Sequence, residues 1–403
     1  MSKILFVTWP GGGNQPPAIG LAQQLRRDGH ETVFAGYIDQ ASRFTLLDLE
    51  FAQLTRSGTT WESFTTADLM PLLIQHAWAS PDHVADTAEI LDRYQPDLVV
   101  VDCLMGGVLA AMETSQIPTV ALVHSVPGAL APPGGPIDGF VIGELNRIRF
   151  ALHLTPVNSY WQAWQQHDVI CTSIPELDPL GTDTLHPVAW IGPIFEDLTT
   201  TDWMPDDHDD TPLVLVSFNS EGAWDQTSRI QRTIDGLAGA DLRVIVTAGA
   251  VDPSRLHVPT KAIKIVPYLP HAAILPWTSA VVTHAGHGTL TAALAHGLPI
   301  VAIPNEAADQ PALAAQAARL GAGIHLHEES ATATAIASAI RTVLDDSTYA
   351  ANARALSNRI RSYRNQPRAV VERILGHASS GQLTATGDGS SSHSTDHQID
   401  WSK

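Results

Sequence analysis

Residues 281–310, VVTHAGHGTLTAALAHGLPIVAIPNEAADQ, hold the densest set of groups able to do chemistry. An apolar run ends at His284. Ala285, Gly286, His287, Gly288 and Thr289 follow, and then a helical pattern starts. Glycines let backbone N–H groups approach an anion closely, and a helix N-terminus adds unpaired donors and a partial positive charge. Thr289 can add a hydroxyl donor. A diphosphate fits such a loop without Lys, Arg or a metal ion. Further on, Asp309 and Gln310 pair a carboxylate with an amide, types that can hold vicinal hydroxyls in one orientation. Each group also has a plainer reading. His284 can be a satisfied strand-end histidine, His287 a side chain pointing to solvent, and Asp309 an acid before the helix-starting Pro311. A second glycine loop, GGGNQPP at 11–17, also joins an apolar run to a helical pattern. It contains no Lys, Ser or His, only Asn14 and Gln15.

The elements that must position these loops are short apolar runs: 4–8, 31–36, 98–102, 119–124, 168–173, 213–218, 243–248, 263–268, 280–284 and 300–304. Helical patterns lie between them, such as AIGLAQQLRRDG closing at Gly29 and TLTAALAHG closing at Gly297. Buried strands interleaved with helices predict parallel sheets of βαβ units. The alternation breaks at 196–212, EDLTTTDWMPDDHDDTP, an acidic stretch without apolar period that reads as a linker. The expectation is an α/β protein of two doubly wound, Rossmann-like domains facing a cleft, with ligands beyond the carboxyl ends of the strands. Residues 57–85 and 125–166 are rich in aromatics (Trp61, Phe64, Trp78, Phe140, Phe150, Trp161, Trp164) that either cover an apolar pocket or pack ordinarily. From 376 to 403 the chain is polar and rich in Ser, Gly and Thr, a composition that favours disorder.

Composition narrows the function classes. The 403 residues are 44% hydrophobic and carry a formal charge of −19. An acidic chain repels phosphate backbones and anionic membrane surfaces, so neither nucleic acid nor membrane is expected as a partner. There are two cysteines, Cys103 and Cys171, too few for a disulfide framework. No apolar run of about 20 residues occurs, and the N-terminus lacks a signal-peptide pattern, so the expectation is a soluble cytoplasmic protein. A homodimer stays open.

Segment 281–310 resembles the donor-binding signature of family 1 glycosyltransferases, the macrolide-type bacterial enzymes of GT-B fold. Their pattern runs His-Gly-Gly-x-Gly-Thr, then Gly-x-Pro, then Asp-Gln. It appears here as His284 to Thr289, Gly297-Leu298-Pro299 and Asp309-Gln310, with Ala285 in place of one glycine. The resemblance spans about residues 3 to 374. It implies an acceptor-binding domain at 1–195, the linker 196–212, a nucleotide-sugar domain at 213–356 and a helix at 357–375 crossing back. It implies that Tyr268 and Leu269, in YLPH, hold the nucleotide base. In SFNS (217–220), Ser217, Asn219 and Ser220 are placed at the phosphates or the reacting centre, with Asn219 standing where the family has glycine. His284, Ala285, Gly286, His287, Gly288 and Thr289 are placed at the diphosphate, and Asp309 and Gln310 at the sugar. The donor is a dTDP- or UDP-sugar, deoxysugars included, and the acceptor a small hydrophobic aglycone. Neither cofactor nor metal is called for.

The family usually opens with Gly-His-x-x-Pro, whose histidine is the general base. Here Gly13 and Pro17 match and Asn14 falls on the histidine. An amide binds no proton near neutral pH, so the usual base is missing. Asp102 matches the aspartate that orients that histidine, and its plainer reading is a strand-end helix cap. Three explanations stand. Asp102, or His124 at the end of another strand, acts as base, with Asp138 and Glu144 as weaker candidates. Alternatively the acceptor is an acidic or carbon nucleophile that Asn14 merely positions. Or catalysis is lost and binding kept. The main reading is an inverting, metal-independent glycosyltransferase. Competing readings are a nucleotide-sugar epimerase or hydrolase of the same fold, an inactive auxiliary protein and, more distantly, an NAD dehydrogenase.

Overall fold

A computed structural model describes residues 1–61, 69–197, 203–205, 210–218, 225–306 and 308–384. They divide into two compact units: 1–172 with 182–194 and the chain from 363 onward, and 173–181 with 195–362.

In the first unit seven strands form one parallel sheet: β1 (Lys3–Val7), β2 (Glu31–Gly36), β3 (Glu50–Gln53), β4 (Leu98–Asp102), β5 (Thr119–Val123), β6 (Asp168–Cys171) and β7 (Ala189–Trp190), in the order β3-β2-β1-β4-β5-β6-β7. The central strands are mostly apolar because both faces of a parallel sheet are covered, with Asp102 standing buried at the carboxyl end of β4. Helix Gln15–Arg27 buries Ile19, Leu21 and Leu25 and ends before Gly29, whose φ of 89° allows the left-handed turn into β2. On the same face Phe6, Phe34, Phe44 and Phe51 form a continuous stack. Val370, Val371, Ile374 and Leu375 of the C-terminal helix Gln366–Thr384 join this cluster. Burial of such side chains contributes about 1.5–3 kcal/mol each before ordering costs.

The second unit is a six-stranded parallel sheet: β8 (Leu213–Ser217), β9 (Arg243–Thr247), β10 (Ile263–Val266), β11 (Ala280–Thr283), β12 (Ile300–Ala302) and β13 (Gly323–His325), in the order β10-β9-β8-β11-β12-β13. Each sheet reverses its winding direction once, between β1 and β4 and between β8 and β11. Such switch points leave a crevice at the carboxyl ends of the strands.

The structure corrects several boundaries. Residues 173–181, expected with the first domain, group with the second unit: Gln316 Nε2 donates to the carbonyls of Glu176 at 2.8 Å and Asp178 at 3.3 Å, and Arg359 pairs with Glu176. The chain rejoins the first unit at Tyr363 rather than at 357. The tail expected to be disordered from 376 continues as helix to Thr384. Once the packed turns at 370–375 have met the nucleation cost, each further residue adds one hydrogen bond. Of the linker, 198–202 and 206–209 lie outside the described residues. No described helix is long and apolar enough to cross a membrane.

Candidate active site

The signature of the second unit assembles at its switch point. β8 ends in Ser217 and β11 in Thr283, and the two are paired in register. Beyond β11, helix His287–Ala295 starts with Gly286 as its N-cap, and its first backbone bond runs from Leu290 N to Gly286 O at 3.0 Å. The N–H groups of His287, Gly288 and Thr289 therefore have no helical partner. The glycines have different reasons. A Cβ on Gly286 would lie 2.4 Å from His284 Nε2, so the imidazole itself demands glycine there. A Cβ on Gly288 would meet nothing within 4 Å. Packing does not require that glycine, whereas close approach of a ligand to the helix amides would.

Two alanines carry strain beside these loops. Ala285, in a family glycine position, has φ 63°, and Ala308, just before Asp309, has φ 53°. Left-handed alanine costs about 1–2 kcal/mol, and such strain collects at functional sites. The substitution at Ala285 thus keeps the glycine conformation rather than relaxing it.

The histidines here are neutral. Burial, then the Arg229 charge and His271, push His284 down to about 4, and its Nδ1 is buried without a hydrogen bond. Burial likewise lowers His271 to about 4, and its Nε2 lies 3.2 Å from Ser217 Oγ, which also accepts from Thr247 Oγ1 at 3.0 Å. A neutral His284 keeps one N–H to offer an anion. His287 does not point to solvent: it is buried, with Nε2 2.9 Å from Ser173 Oγ. Leu269 is buried and Tyr268 is 63% exposed. Asp309 caps the helix Gln310–Arg319 by position, and both it and Gln310 are half-buried. Asn219 and Ser220 lie outside the described residues.

Sequence reasoning found no cation near this loop, yet one is present. Arg229, on helix Thr227–Leu237, is buried and felt electrostatically at His284. Its nitrogens are engaged by Glu328, Gln226, Asn305 and the Pro304 carbonyl. An arginine in a helix of high polar content gives no sequence signal for such a role.

At the switch point of the first unit, Asn14 and Asp102 are both 1% exposed. They are joined through Trp9, which follows β1. Asn14 Nδ2 donates to the Trp9 carbonyl at 3.1 Å, and Trp9 Nε1 donates to Asp102 Oδ1 at 3.0 Å. Leu104 N donates to the same oxygen at 3.0 Å, the cap expected of a strand-end acid. His124 Nδ1 lies 2.9 Å from Asp102 Oδ2, an ion-pair contact without the alignment of a hydrogen bond. Burial works against charge on His124, but Asp102 and Cys103 outweigh it and raise its pKa well above the ordinary value. The Cys103 thiol, 3.7 Å from His124 Nδ1, is pushed up by burial. Asp102, Cys103 and His124 offer the one close grouping of metal-ligating types among the described residues, all within 4.8 Å. The carboxylate there already balances an imidazolium. Asn14 Oδ1 is buried with no hydrogen-bond partner.

Trp9 was missed by sequence reasoning, although an indole next to a glycine loop was a usable signal. Its ring lies edge-on to Trp78 at 5.8 Å, and a Cβ on Gly11 would strike it at 2.4 Å. Of the other aromatics, Trp164 is core, donating to the Cys103 carbonyl at 2.7 Å, whereas Phe140 and Phe150 are exposed. Phe64 lies outside the described residues. Asp138 caps Gly134 N and Tyr160 N, and Glu144 pairs with Arg147 on the surface, so both are structurally engaged.

Comparison with known proteins agrees with this arrangement. Residues 231–376 match the family described as erythromycin biosynthesis protein CIII-like, C-terminal domain. The chain is 24% identical to 4'-demethylrebeccamycin synthase of Lentzea aerocolonigenes, over 86% of this chain and 92% of that protein. Among solved structures, the glycosyltransferase of kitacinnamycin superposes with a TM-score of 0.77 at 19% identity, covering 93% of this chain and 98% of the other. The glycosyltransferase VinC, in complex with dTDP, gives 0.68 at 17%, covering 93% and 100%. Two parallel α/β units with a glycine-and-histidine loop at the second switch point define a GT-B glycosyltransferase. The chain is a glycosyltransferase of the antibiotic type.

Proposed function

We propose that the enzyme moves a sugar, with inversion, from a dTDP- or UDP-sugar to a hydrophobic aglycone whose nucleophile is acidic. Asn14 holds that nucleophile in place of a basic histidine. The observation that carries this reading is the buried, unpartnered Asn14 Oδ1, beside an Asp102 whose oxygens face Trp9, Leu104 and a charged His124. A buried oxygen without a partner costs about 1–3 kcal/mol, which an acceptor O–H or N–H would recover. His124, expected as an alternative base, is held protonated and cannot take a second proton. The nucleophile attacks the anomeric carbon as the carbon–oxygen bond to the diphosphate breaks, and the electron pair leaves on phosphate. Asn14 Oδ1 accepts from the neutral nucleophile's O–H or N–H in the bound state, and the acidic proton passes to water as the bond to the anomeric carbon forms. The helix amides at 287–289, neutral His284 and Thr289 then meet the charge growing on the diphosphate, where each placed donor is worth about 3 kcal/mol. The VinC complex, a fold relative holding dTDP, supports the nucleotide assignment.

The test compares acceptors. A general base contributes roughly 10²–10⁴-fold, so 4-nitrophenol is expected to outpace cyclohexanol by at least about 100-fold. Equal rates would restore a base to the site and sink the acceptor assignment. On the donor side, Thr289→Ala is expected to weaken dTDP binding by about 1–2 kcal/mol, a five- to thirtyfold rise in Kd by calorimetry. An unchanged Kd would remove Thr289 from the phosphates.

A further inference from the structure

The loop after β12 contains a chain of amides whose orientation is fixed from one end. Arg229 is a donor-only group, buried and permanently charged. It donates from Nη1 to Asn305 Oδ1 at 2.5 Å, and Gln226 Nε2 donates to the same oxygen at 3.2 Å. The Asn305 amide therefore cannot flip, since flipping would set its NH₂ against the guanidinium. Its Nδ2 donates to Gln310 Oε1 at 3.0 Å, and its backbone N donates to that oxygen at 3.1 Å. Both lone-pair positions of Gln310 Oε1 are thus filled by donors. The side chain's remaining group, Nε2, carries only N–H. Asn305 is 6% exposed, so water does not compete for the inner part of this chain.

We infer that Arg229 and Asn305 are positioning residues that make Gln310 a pure hydrogen-bond donor, and so select a donor sugar presenting an oxygen acceptor at the ring position facing it. This rests on the reading that Gln310 meets the sugar of the nucleotide donor. A hydroxyl, ether or keto oxygen satisfies Gln310. A deoxygenated carbon leaves its N–H unpaired, and a protonated amine sets donor against donor. Asp309, next in the chain, has the opposite polarity, since a carboxylate only accepts. An amino group is therefore rejected at one ring position and tolerated at its neighbour, a contrast that neither residue produces alone.

The experiment is calorimetric titration of wild type and Asn305→Asp with dTDP, dTDP-glucose and congeners in which each hydroxyl in turn is replaced by hydrogen or by an amino group. In wild type one ring position is expected where both replacements raise Kd about tenfold or more. An aspartate at 305 still accepts from Arg229 but removes the Nδ2 donor, so only the backbone N of 305 continues to hold Gln310 Oε1 and the amide is no longer fixed in one orientation. Asn305→Asp is then expected to narrow the contrast between hydroxyl and amino congeners at that position to a few-fold or less, with the Kd of dTDP unchanged. Gln310→Glu, acceptor-only by chemistry, is expected to reverse the order, amino binding better than hydroxyl. No such position in wild type, or a variant that weakens all congeners equally, overturns the inference while leaving the nucleotide site standing. Failure of wild type to bind dTDP at all overturns the donor site and the inference with it.

Discussion

Asp102→Asn is expected to destabilise the first unit by about 3 kcal/mol and to do so more at low pH than at high pH. The carboxylate lies 2.9 Å from His124 Nδ1, and His124 is only 12% exposed. Breaking a buried pair by removing one partner typically costs about 3–5 kcal/mol. The lower end applies because His124 can lose its proton and then accept from the new amide. The Trp9 and Leu104 donors keep an oxygen, so the cost is mainly that of the imidazolium. The sign follows from linkage. His124 has a folded-state pKa raised above its unfolded value, so its contribution is complete below about 6.5 and is lost as pH rises through the folded value. The difference in melting temperature between wild type and variant should therefore be about 6–12 °C near pH 6 and shrink steadily above it. A difference independent of pH would mean that His124 is neutral in the native enzyme. Transfer should also slow, because Trp9 and Asn14 hang on the same carboxylate.

What the sequence disclosed depended on whether the signal was local. The interior strands show as apolar runs because both faces of a parallel sheet are covered. The strands it missed, β3, β7 and β13, are all edges. They are two to four residues long, too short to stand out as apolar runs, and β3 and β13 also mix polar with apolar residues. The donor loop was legible because its glycines, His284 and Thr289 are consecutive. Asn14 and Asp102 were legible only through family resemblance. The residues that orient them were not, because the contacts are remote in sequence: Trp9 meets Asp102 across 93 positions, and Arg229 meets Asn305 across 76. His124 was singled out by its place at the end of β5, yet its charge is set by Asp102 from another strand.

These remote contacts have a common character. At each switch point a group that touches ligand in the proposed reaction is oriented by one that does not: Trp9 behind Asn14, Asn305 behind Gln310. Both partners use an acceptor or a donor that cannot change its protonation. Orientation is therefore insensitive to pH, whereas the fold around it is not.

The second large effect follows from that contrast. Burial, the largest cause in each case, lowers His83 and His167 in the first unit and His271 and His284 in the second to about 4. In the unfolded chain these groups titrate near 6.5. Between those values the unfolded state binds a proton the native state refuses, so stability falls as pH falls through this window and is flat above it. At pH 5 each histidine removes about 2 kcal/mol relative to pH 7, hence about 4 kcal/mol per unit. His124 adds nothing to that slope, because it is protonated in both states there. Above pH 6.5 its contribution is lost, joined above about 8.5 by that of the buried Cys103 thiol, so the first unit should lose stability as pH rises while the second stays level. Urea unfolding followed by hydrogen exchange, peptide by peptide, separates the two units. The expected record is an optimum near pH 6.5–7 for peptides from β1 and β4, and a plateau for those from β8 and β11. Stability that is constant from pH 7 to 5 in the second unit would show that His271 and His284 are charged in the native enzyme. It would also remove the neutral imidazole from the stabilisation of the diphosphate.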